Sequence, residues 1–349
     1  MPLKNEIKDF SKSIGIDVIG ITSAEPFNDV QEIFTDRVKK GFYEDFDYSI
    51  EDVEFRCNPR NILSDAKSII SIAVSYNIHN VHLKEKKNSK KEKTTGIISK
   101  FALGIDYHKI LKDKLEILAD FIKKISLKNF KYKILVDTGP IVDRAVANRA
   151  GIGWYGKNCC IITKRFGSWI FLGEMITNLE LESDDSDFKD CGDCDLCLRA
   201  CPTQAIISPY IIDVRKCISN LTQKRGEIPM NLLEKMGGNI YGCDICQNVC
   251  PHNKETEFID RKDFLPILQN GENIELSKII NMSEKEFKKW FGSSTIEWVG
   301  RNILRRNAII ALGNIGYPNS KNLLLKACED KDYIIRKYAD WAINKIEDR

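Results

Sequence analysis

No stretch of this chain reaches the ~18 uninterrupted apolar residues that a membrane helix needs, which excludes a helical span. The first residues, Met1-Pro2-Leu3-Lys4-Asn5-Glu6, lead into an amphipathic segment without an apolar h-region, so no signal peptide and a cytosolic location are expected. Charge of one sign is also nearly absent: 53 Lys and Arg stand against 50 Asp and Glu, a net +3. That excludes a uniformly basic nucleic-acid coat while leaving room for local basic patches. The glycine-rich run Gly151-Ile-Gly153-Trp154-Tyr155-Gly156-Lys157-Asn158 is not G-x-x-x-x-G-K-[ST], and it lacks the strand-then-helix setting of a dinucleotide fingerprint. A close backbone approach, to a flat ligand or to a second domain, is expected there instead. With 43% hydrophobic and 30% charged residues the chain is ordinary globular material. Its 349 residues are enough for two or three domains with cores of their own.

What the chain has in excess is cysteine. Twelve in a protein expected in the cytosol point to metal or redox chemistry rather than structural disulfides. Eight of them fall between positions 191 and 250. The first run, Cys191-Gly-Asp-Cys194-Asp-Leu-Cys197-Leu-Arg-Ala-Cys201-Pro202, is C-x2-C-x2-C-x3-C-P, the spacing of bacterial ferredoxins. The second is split: Cys217 stands alone, 25 residues intervene, and Cys243-Asp-Ile-Cys246-Gln-Asn-Val-Cys250-Pro251 completes it. Eight thiolates fit two [4Fe–4S] clusters with none left over. By the crossover rule of two-cluster ferredoxins, Cys191, Cys194 and Cys197 share one cluster with Cys250, and Cys201 joins Cys217, Cys243 and Cys246 on the other. Paired C-x2-C elements also make zinc sites, but zinc explains the full four-cysteine run and its split copy poorly.

Three regions follow from the pattern: 1–180, 181–260 and 261–349. The first reads as a mixed α/β domain. Helical spacing appears at 3–14 and 107–125, and strand-like runs at 18–21, 68–76, 134–136 and 169–176. Between them, 83–95 carries Lys84, Lys86, Lys87, Lys90, Lys91 and Lys93, either a solvated loop or an arm for the phosphates of a nucleic acid. An acidic stretch, 180–190, leads to the cysteines. Beyond Cys250 the chain is expected to be helical, at 301–315, 320–329 and 333–346, resembling one or two HEAT-type repeats. Arg305, Arg306, Arg336 and Lys337 are expected on its polar faces, either a plain packing module or a basic surface for RNA. The whole is an α+β multidomain protein.

Two clusters alone would need far fewer residues, so the upstream domain is expected to hold a second redox centre or a substrate site. Asp137 follows the apolar run Ile134-Leu135-Val136, at a strand's C-terminal end where α/β sheets usually bind ligands; a helix N-cap is the plainer alternative. His108, one of only four histidines, is expected to make a structural hydrogen bond at a helix start. Cys159 and Cys160, in an apolar run, are expected to be buried thiols.

The whole pattern resembles the epoxyqueuosine reductases, cobalamin- and iron–sulfur-dependent enzymes that complete queuosine in tRNA. The resemblance spans nearly the entire chain. It rests on Arg56, Gly104-Ile-Asp106-Tyr107-His108, Val136-Asp137-Thr138-Gly139, Asp143-Arg144-Ala145, Gly151-Ile-Gly153-Trp154, Gly156-Lys157-Asn158, Gly167-Ser168-Trp169 and Gly173-Glu174. In the cluster half it continues with Cys217-Ile218-Ser219 and Tyr241-Gly242-Cys243-Asp244-Ile245-Cys246. It implies a cobalamin in the N-terminal domain, reduced through the clusters, and removal of the epoxide oxygen of epoxyqueuosine at the tRNA wobble position. Asp137 matches the family's proton donor, a task near neutral pH that calls for a raised pKa. Arg56, Ser99, Ile161, Leu172, Ser219, Asp244 and Ile245 match cobalamin-contacting positions, Asp244 and Ile245 through backbone. No D-x-H-x-x-G element is present, so His108 is not expected to replace the cofactor's own base. The resemblance further implies a low-potential electron donor of ferredoxin or flavodoxin type, no membrane and a monomer. Two other readings stay open: a reductive dehalogenase-like enzyme, and a two-cluster electron carrier without catalysis.

Overall fold

The computed structural model describes residues 3–78, 94–126, 129–186, 189–259, 261, 264 and 273–348. The Lys-rich run at 84–93 lies outside the described residues. The four apolar runs of the N-terminal region form one sheet in the spatial order Val18–Ser23, Ser68–Ser75, Ile170–Thr177, Tyr132–Leu135. Every neighbouring pair is antiparallel. All eight residues of Ser68–Ser75 are buried because helices cover both faces of the sheet. On one face, helices Leu3–Ser13 and Tyr107–Ile125 pack over Ile70, Ile72, Val74 and Met175. The longer helix buries Leu111, Leu115, Leu118, Ala119 and Ile122, a single stripe at helical spacing, and each large aliphatic there contributes about 2 kcal/mol of burial. It starts at Asp106, whose carboxylate accepts from the His108 backbone N–H. On the other face, helices Asn28–Lys39, Ile50–Cys57 and Asp143–Arg149 cover Ile69 and Ile176.

The antiparallel pairing corrects one argument. The rule that ligands sit at strand C-termini belongs to parallel sheets, so it does not account for Asp137, which stands just past the edge strand Tyr132–Leu135.

A second, three-stranded sheet was not legible from periodicity. Thr95–Ile98 is central, paired in parallel with Asn239–Tyr241 and antiparallel with Asn273–Glu275. These strands carry too few alternations to register and, unlike Ile134-Leu135-Val136, form no unbroken apolar run of three. The sheet ties together segments nearly 180 residues apart. Behind it, one core runs through Ile98, Leu221, Tyr241, Ile274, Leu304 and Tyr338. The region after Cys250 therefore contains a strand and helices Leu276–Ile280 and Glu284–Phe291 before the expected helices Arg301–Ile315, Lys321–Cys328 and Tyr333–Glu347. Arg301–Ile315 ends on Gly316 in the left-handed region, with Pro318 just beyond.

Two of the expected surface arginines are interior. Arg306 is fully buried and Arg305 is 8% exposed. Arg306 donates to the carbonyls of Leu221, Lys224 and Gly226. Arg305 pairs with Asp330 at 2.7 Å and donates to the Ile280 carbonyl. These carbonyls have no intrahelical partner, and a guanidinium fork satisfies several at once. Neither side chain is available as part of a basic RNA surface.

Candidate active site

Asp137 sits at the centre of a three-residue turn, with the Thr138 N–H donating to the Val136 carbonyl at 2.6 Å. Its φ is +52°, a conformation rare for a residue with a side chain and found where a site over-determines the backbone. The turn presents the carboxylate to a cavity of about 380 Å³. Tyr107 Oη donates to Asp137 Oδ2 at 2.7 Å, and His108 Nε2 lies 3.5 Å from the same oxygen. His108 Nδ1 is 2.7 Å from Asp106 Oδ1, so the imidazole is held between two carboxylates. Tyr107 is itself fixed by stacking on Phe171, with centroids 4.1 Å apart and planes 5° from parallel.

These contacts set the protonation states. Burial pushes the Asp137 carboxyl up, but His108, the Tyr107 hydroxyl and the nearby Arg144 charge outweigh it and hold the pKa below the usual value. The raised pKa expected of a proton donor is therefore not present at Asp137 itself. The proton resides next door: its contacts with Asp106 and then Asp137 raise His108 to about 9. Asp143, at the start of helix Asp143–Arg149, is raised to about 7 by burial and by the Asp137 charge, against the pull of Arg144 and Arg56.

The expected site residues fall into two groups. Asp137, Ile161 and Leu172 line the cavity, with Tyr107, Asp143, Arg144 and Phe171. Arg56, Ser99, Ser219, Asp244 and Ile245 do not line it but adjoin residues that do or that shape it. Arg56 donates to the Gly139 carbonyl at 3.0 Å and lies over the Tyr48 ring, so it braces the Asp137 turn. Ser99 Oγ donates to Asp244 Oδ1 at 2.6 Å, and the Lys100 N–H donates to Asp244 Oδ2; the two side chains satisfy each other. Gln247 donates to that same carboxylate and reaches the cavity. Gln223, also in the wall, donates to the carbonyl of Ser219. Ile245 begins the short helix Ile245–Asn248 that carries Gln247. Sequence reasoning assigned no role to Gln223 or Gln247; the available signal was that Gln247 directly follows Cys246 and Gln223 lies six residues past Cys217. Cys159 and Cys160 are wall residues whose thiols burial pushes up, Cys160 to about 12. The glycine-rich run makes close backbone approaches: a side chain at Gly153 would meet the Ile162 carbonyl, and one at Gly151 the carbonyl of Asp185 in the 181–260 region.

Cys191, Cys194, Cys197 and Cys250 line one small cavity with Lys157, Asn158 and His252. The other four lie outside that cavity. Burial raises Cys217, which also feels Cys201; burial raises Cys243 to about 12, with Cys217 and Cys201 as charged neighbours. Burial likewise raises Cys246, and Cys160, Cys217, Cys243 and Cys197 add to it. Among the described residues no helix is long and apolar enough to cross a membrane.

The family model described as Epoxyqueuosine reductase QueG, DUF1730 matches residues 56–138, and a 4Fe-4S double cluster binding domain matches 190–253. The epoxyqueuosine reductase of Bacillus anthracis is 39% identical over 345 residues, covering 99% of this chain and 89% of that one. A crystal structure of epoxyqueuosine reductase with a tRNA-Tyr epoxyqueuosine-modified stem loop superposes with a TM-score of 0.91 at 38% identity, covering 99% of this chain and 90% of that one. The Streptococcus thermophilus epoxyqueuosine reductase gives 0.90 at 40% identity, covering 100% and 91%.

Proposed function

The chain belongs to the epoxyqueuosine reductase family, and from that premise we propose that its Asp137 cavity is where the epoxide of epoxyqueuosine in tRNA is reduced to the alkene of queuosine. The chain is an oxidoreductase acting on tRNA. The observation that carries the site is the placement of Asp137, hydrogen-bonded by Tyr107, opposite wall residues Gln223 and Gln247 from the cysteine-rich half.

Eight cysteines hold two [4Fe–4S] clusters, one on Cys191, Cys194, Cys197 and Cys250 and one on Cys201, Cys217, Cys243 and Cys246; the two gatherings of thiols support that division. Cobalamin would be held in the cavity. The residues present fit a corrin: Ile161, Ile170, Phe171 and Leu172 offer apolar contact to a flat macrocycle, and Ser168, Gln223 and Gln247 offer hydrogen-bonding groups to its amide rim. Ile161 and Leu172 would hold it directly, while Arg56, Ser99, Ser219, Asp244 and Ile245 would act from behind, holding the Asp137 turn, Gln223 and Gln247 in place around it. When bound, the cofactor supplies a strongly reducing cobalt centre for the carbon–oxygen bond. The chain's own part is to carry a proton on the His108–Asp137 pair, aim it through the strained turn at the leaving oxygen, and keep Tyr107 stacked as a fixed donor.

The substrate nucleotide enters splayed from the anticodon loop, as unstacked RNA bases can. Electrons come from a ferredoxin- or flavodoxin-type donor, and the enzyme works as a monomer in the cytosol. Residues 1–180 form the cobalamin-binding catalytic part, 181–260 the ferredoxin-like part and 261–349 a HEAT-like helical part. The test is anaerobic turnover with reconstituted protein, cobalamin, a low-potential reductant and tRNA bearing epoxyqueuosine. Cobalamin-dependent loss of one oxygen from the nucleoside, read by mass spectrometry, supports the assignment. No conversion with full cluster and corrinoid loading refutes it.

A further inference from the structure

Converting an epoxide to an alkene and water breaks two carbon–oxygen bonds and makes one carbon–carbon π bond. It consumes two electrons and two protons. The electrons come from the low-potential donor, and the His108–Asp137 pair can hand over one proton. A second must reach the leaving oxygen in the same turnover, and the cavity is lined by one other acid, Asp143.

Behind Asp143 lies a group the reaction has not yet used. Glu174, on the strand Ile170–Thr177, is fully buried, and both carboxyl oxygens lack a hydrogen-bond partner among the described residues. Ser71 stands directly across the sheet in register, and its hydroxyl is orphaned too. So is Asp143 Oδ1. Strand alternation puts Glu174 on the same face as Leu172, a wall residue, and beneath helix Asp143–Arg149. An acid with no partner in such a place keeps its proton, since an isolated buried carboxylate is not tolerated.

We propose that Glu174 and Asp143 form a buried carboxyl pair that stores the second proton of each turnover and releases it into the cavity from Asp143. Glu174 acts through Asp143 and is a positioning residue; the inference rests on the deoxygenation reading above. Burial raises the Glu174 pKa well above the usual range, with the charges of Asp143 and Asp137 adding to it. Facing the pair are Asp137 from the edge-strand turn, Arg144 from the covering helix, Arg56 from helix Ile50–Cys57, and the Tyr48 phenol, which in turn feels Asp143. The orphaned atoms of Ser71, Glu174 and Asp143 suit bridging waters, which need two or more polar partners. The pair titrates as a unit, so its pKa values belong to both acids together.

The substitution Glu174→Gln keeps shape and hydrogen-bonding capacity but removes the stored proton, so that Asp143, once it has given up its own, is no longer resupplied from behind. In holoenzyme matched for iron and corrinoid, E174Q is expected to turn over within about threefold of wild type at pH 6, where solvent reprotonates Asp143, and about tenfold slower at pH 8.5. Asp143→Asn is expected to lose rate at both pH values. A uniform loss in E174Q across pH, or no loss, overturns the proposal. Infrared spectra of the full-length protein give a readout without turnover. The carbonyl band of a protonated carboxylic acid is expected at pH 8 in wild type and absent in E174Q; its absence from wild type overturns the proposal whatever the variants do. Wild type that shows the band but converts no epoxyqueuosine refutes the deoxygenation reading and the delivery role with it. Wild type that converts substrate without the band refutes the pair alone.

Discussion

Arg306 holds the helical tail to the cluster-bearing segment, and replacing it with methionine measures how strongly. Its guanidinium donates to Leu221 O at 3.1 Å, Lys224 O at 2.8 Å, Gly226 O at 2.7 Å and Asn307 Oδ1 at 2.9 Å. Burial lowers its pKa to about 10, so it remains charged at neutral pH. The three carbonyls lie in and just past helix Ile218–Gln223, which starts directly after Cys217. Methionine fills most of the volume and donates nothing. The Leu221 carbonyl would then be buried without a partner, at about 1–3 kcal/mol. The carbonyls of Lys224 and Gly226 sit at partly buried contacts, where water recovers part of their bonding, so each costs less. Against this stands the relief of no longer desolvating a guanidinium. The balance is a loss of about 3 kcal/mol, which at about 2–4 °C per kcal/mol for a domain of 150–250 residues lowers the melting temperature by about 6–12 °C. The assay is an anaerobic melt of reconstituted protein with iron counted before and after mild heating. Arg306→Met is expected to lose iron from the heated sample because the Cys217 helix loosens first. A melting temperature unchanged or raised in R306M would refute the reasoning: desolvation would then outweigh the carbonyl bonds.

Asp137→Asn is expected to keep iron and corrinoid while losing 10²–10⁴-fold in turnover, on the scale of general acid catalysis; full activity would sink the donor assignment. His108 is raised from 6.5 to about 9, so its stabilising contribution is complete below about pH 6.5 and disappears as pH rises through about 9. Melts of His108→Gln should therefore lack about 1–2 kcal/mol of the decline that wild type shows across that window; equal slopes would contradict it. A Cβ at Gly20 would stand 1.9 Å from the Ala150 carbonyl oxygen, and Gly20→Ala is expected to cost about 2–3 kcal/mol by forcing sheet and helix apart. An unshifted melt would show that the contact yields freely. Binding of tRNA is expected to weaken steeply between 50 and 200 mM salt; affinity independent of salt would remove phosphate contacts from the picture.

What the sequence made legible follows length and spacing. The helix Tyr107–Ile125 has five buried apolar positions in one stripe, and eight cysteines at ferredoxin spacing need no tertiary context to be read. The three short strands of the second sheet were invisible because they neither alternate long enough to make a period nor form an unbroken apolar run as Ile134-Leu135-Val136 does. Arg305 and Arg306 were misplaced for a different reason: helical spacing gives the face of a side chain, not what another segment brings to that face. Here the cluster segment brings open carbonyls. The protonation of Asp137 was unreadable for the same cause, since His108 reaches it across a gap of 29 residues in the chain.

The split in the second cysteine run has a structural reason that the spacing alone does not disclose. The 25 residues between Cys217 and Cys243 include helix Ile218–Gln223, whose Gln223 lines the cavity, and strand Asn239–Tyr241, which pairs with Thr95–Ile98. They also carry the carbonyls that Arg306 and Asn307 hold. A compact ferredoxin copy would have no material for that wall. Gln247, the residue after Cys246, supplies the next part of it, and Cys160, also in the wall, feels the charges of Cys217 and, from the other set, Cys250. Through the short helices that carry Gln223 and Gln247, Cys217 and Cys246, of the set that also holds Cys201 and Cys243, adjoin the cavity wall. The set Cys191, Cys194, Cys197 and Cys250 opens instead beside Lys157 and His252. Under the proposed function, that order makes the outer set the entry for electrons and the inner set their last stop before the reaction. The insertion is what brings the inner set against the cavity.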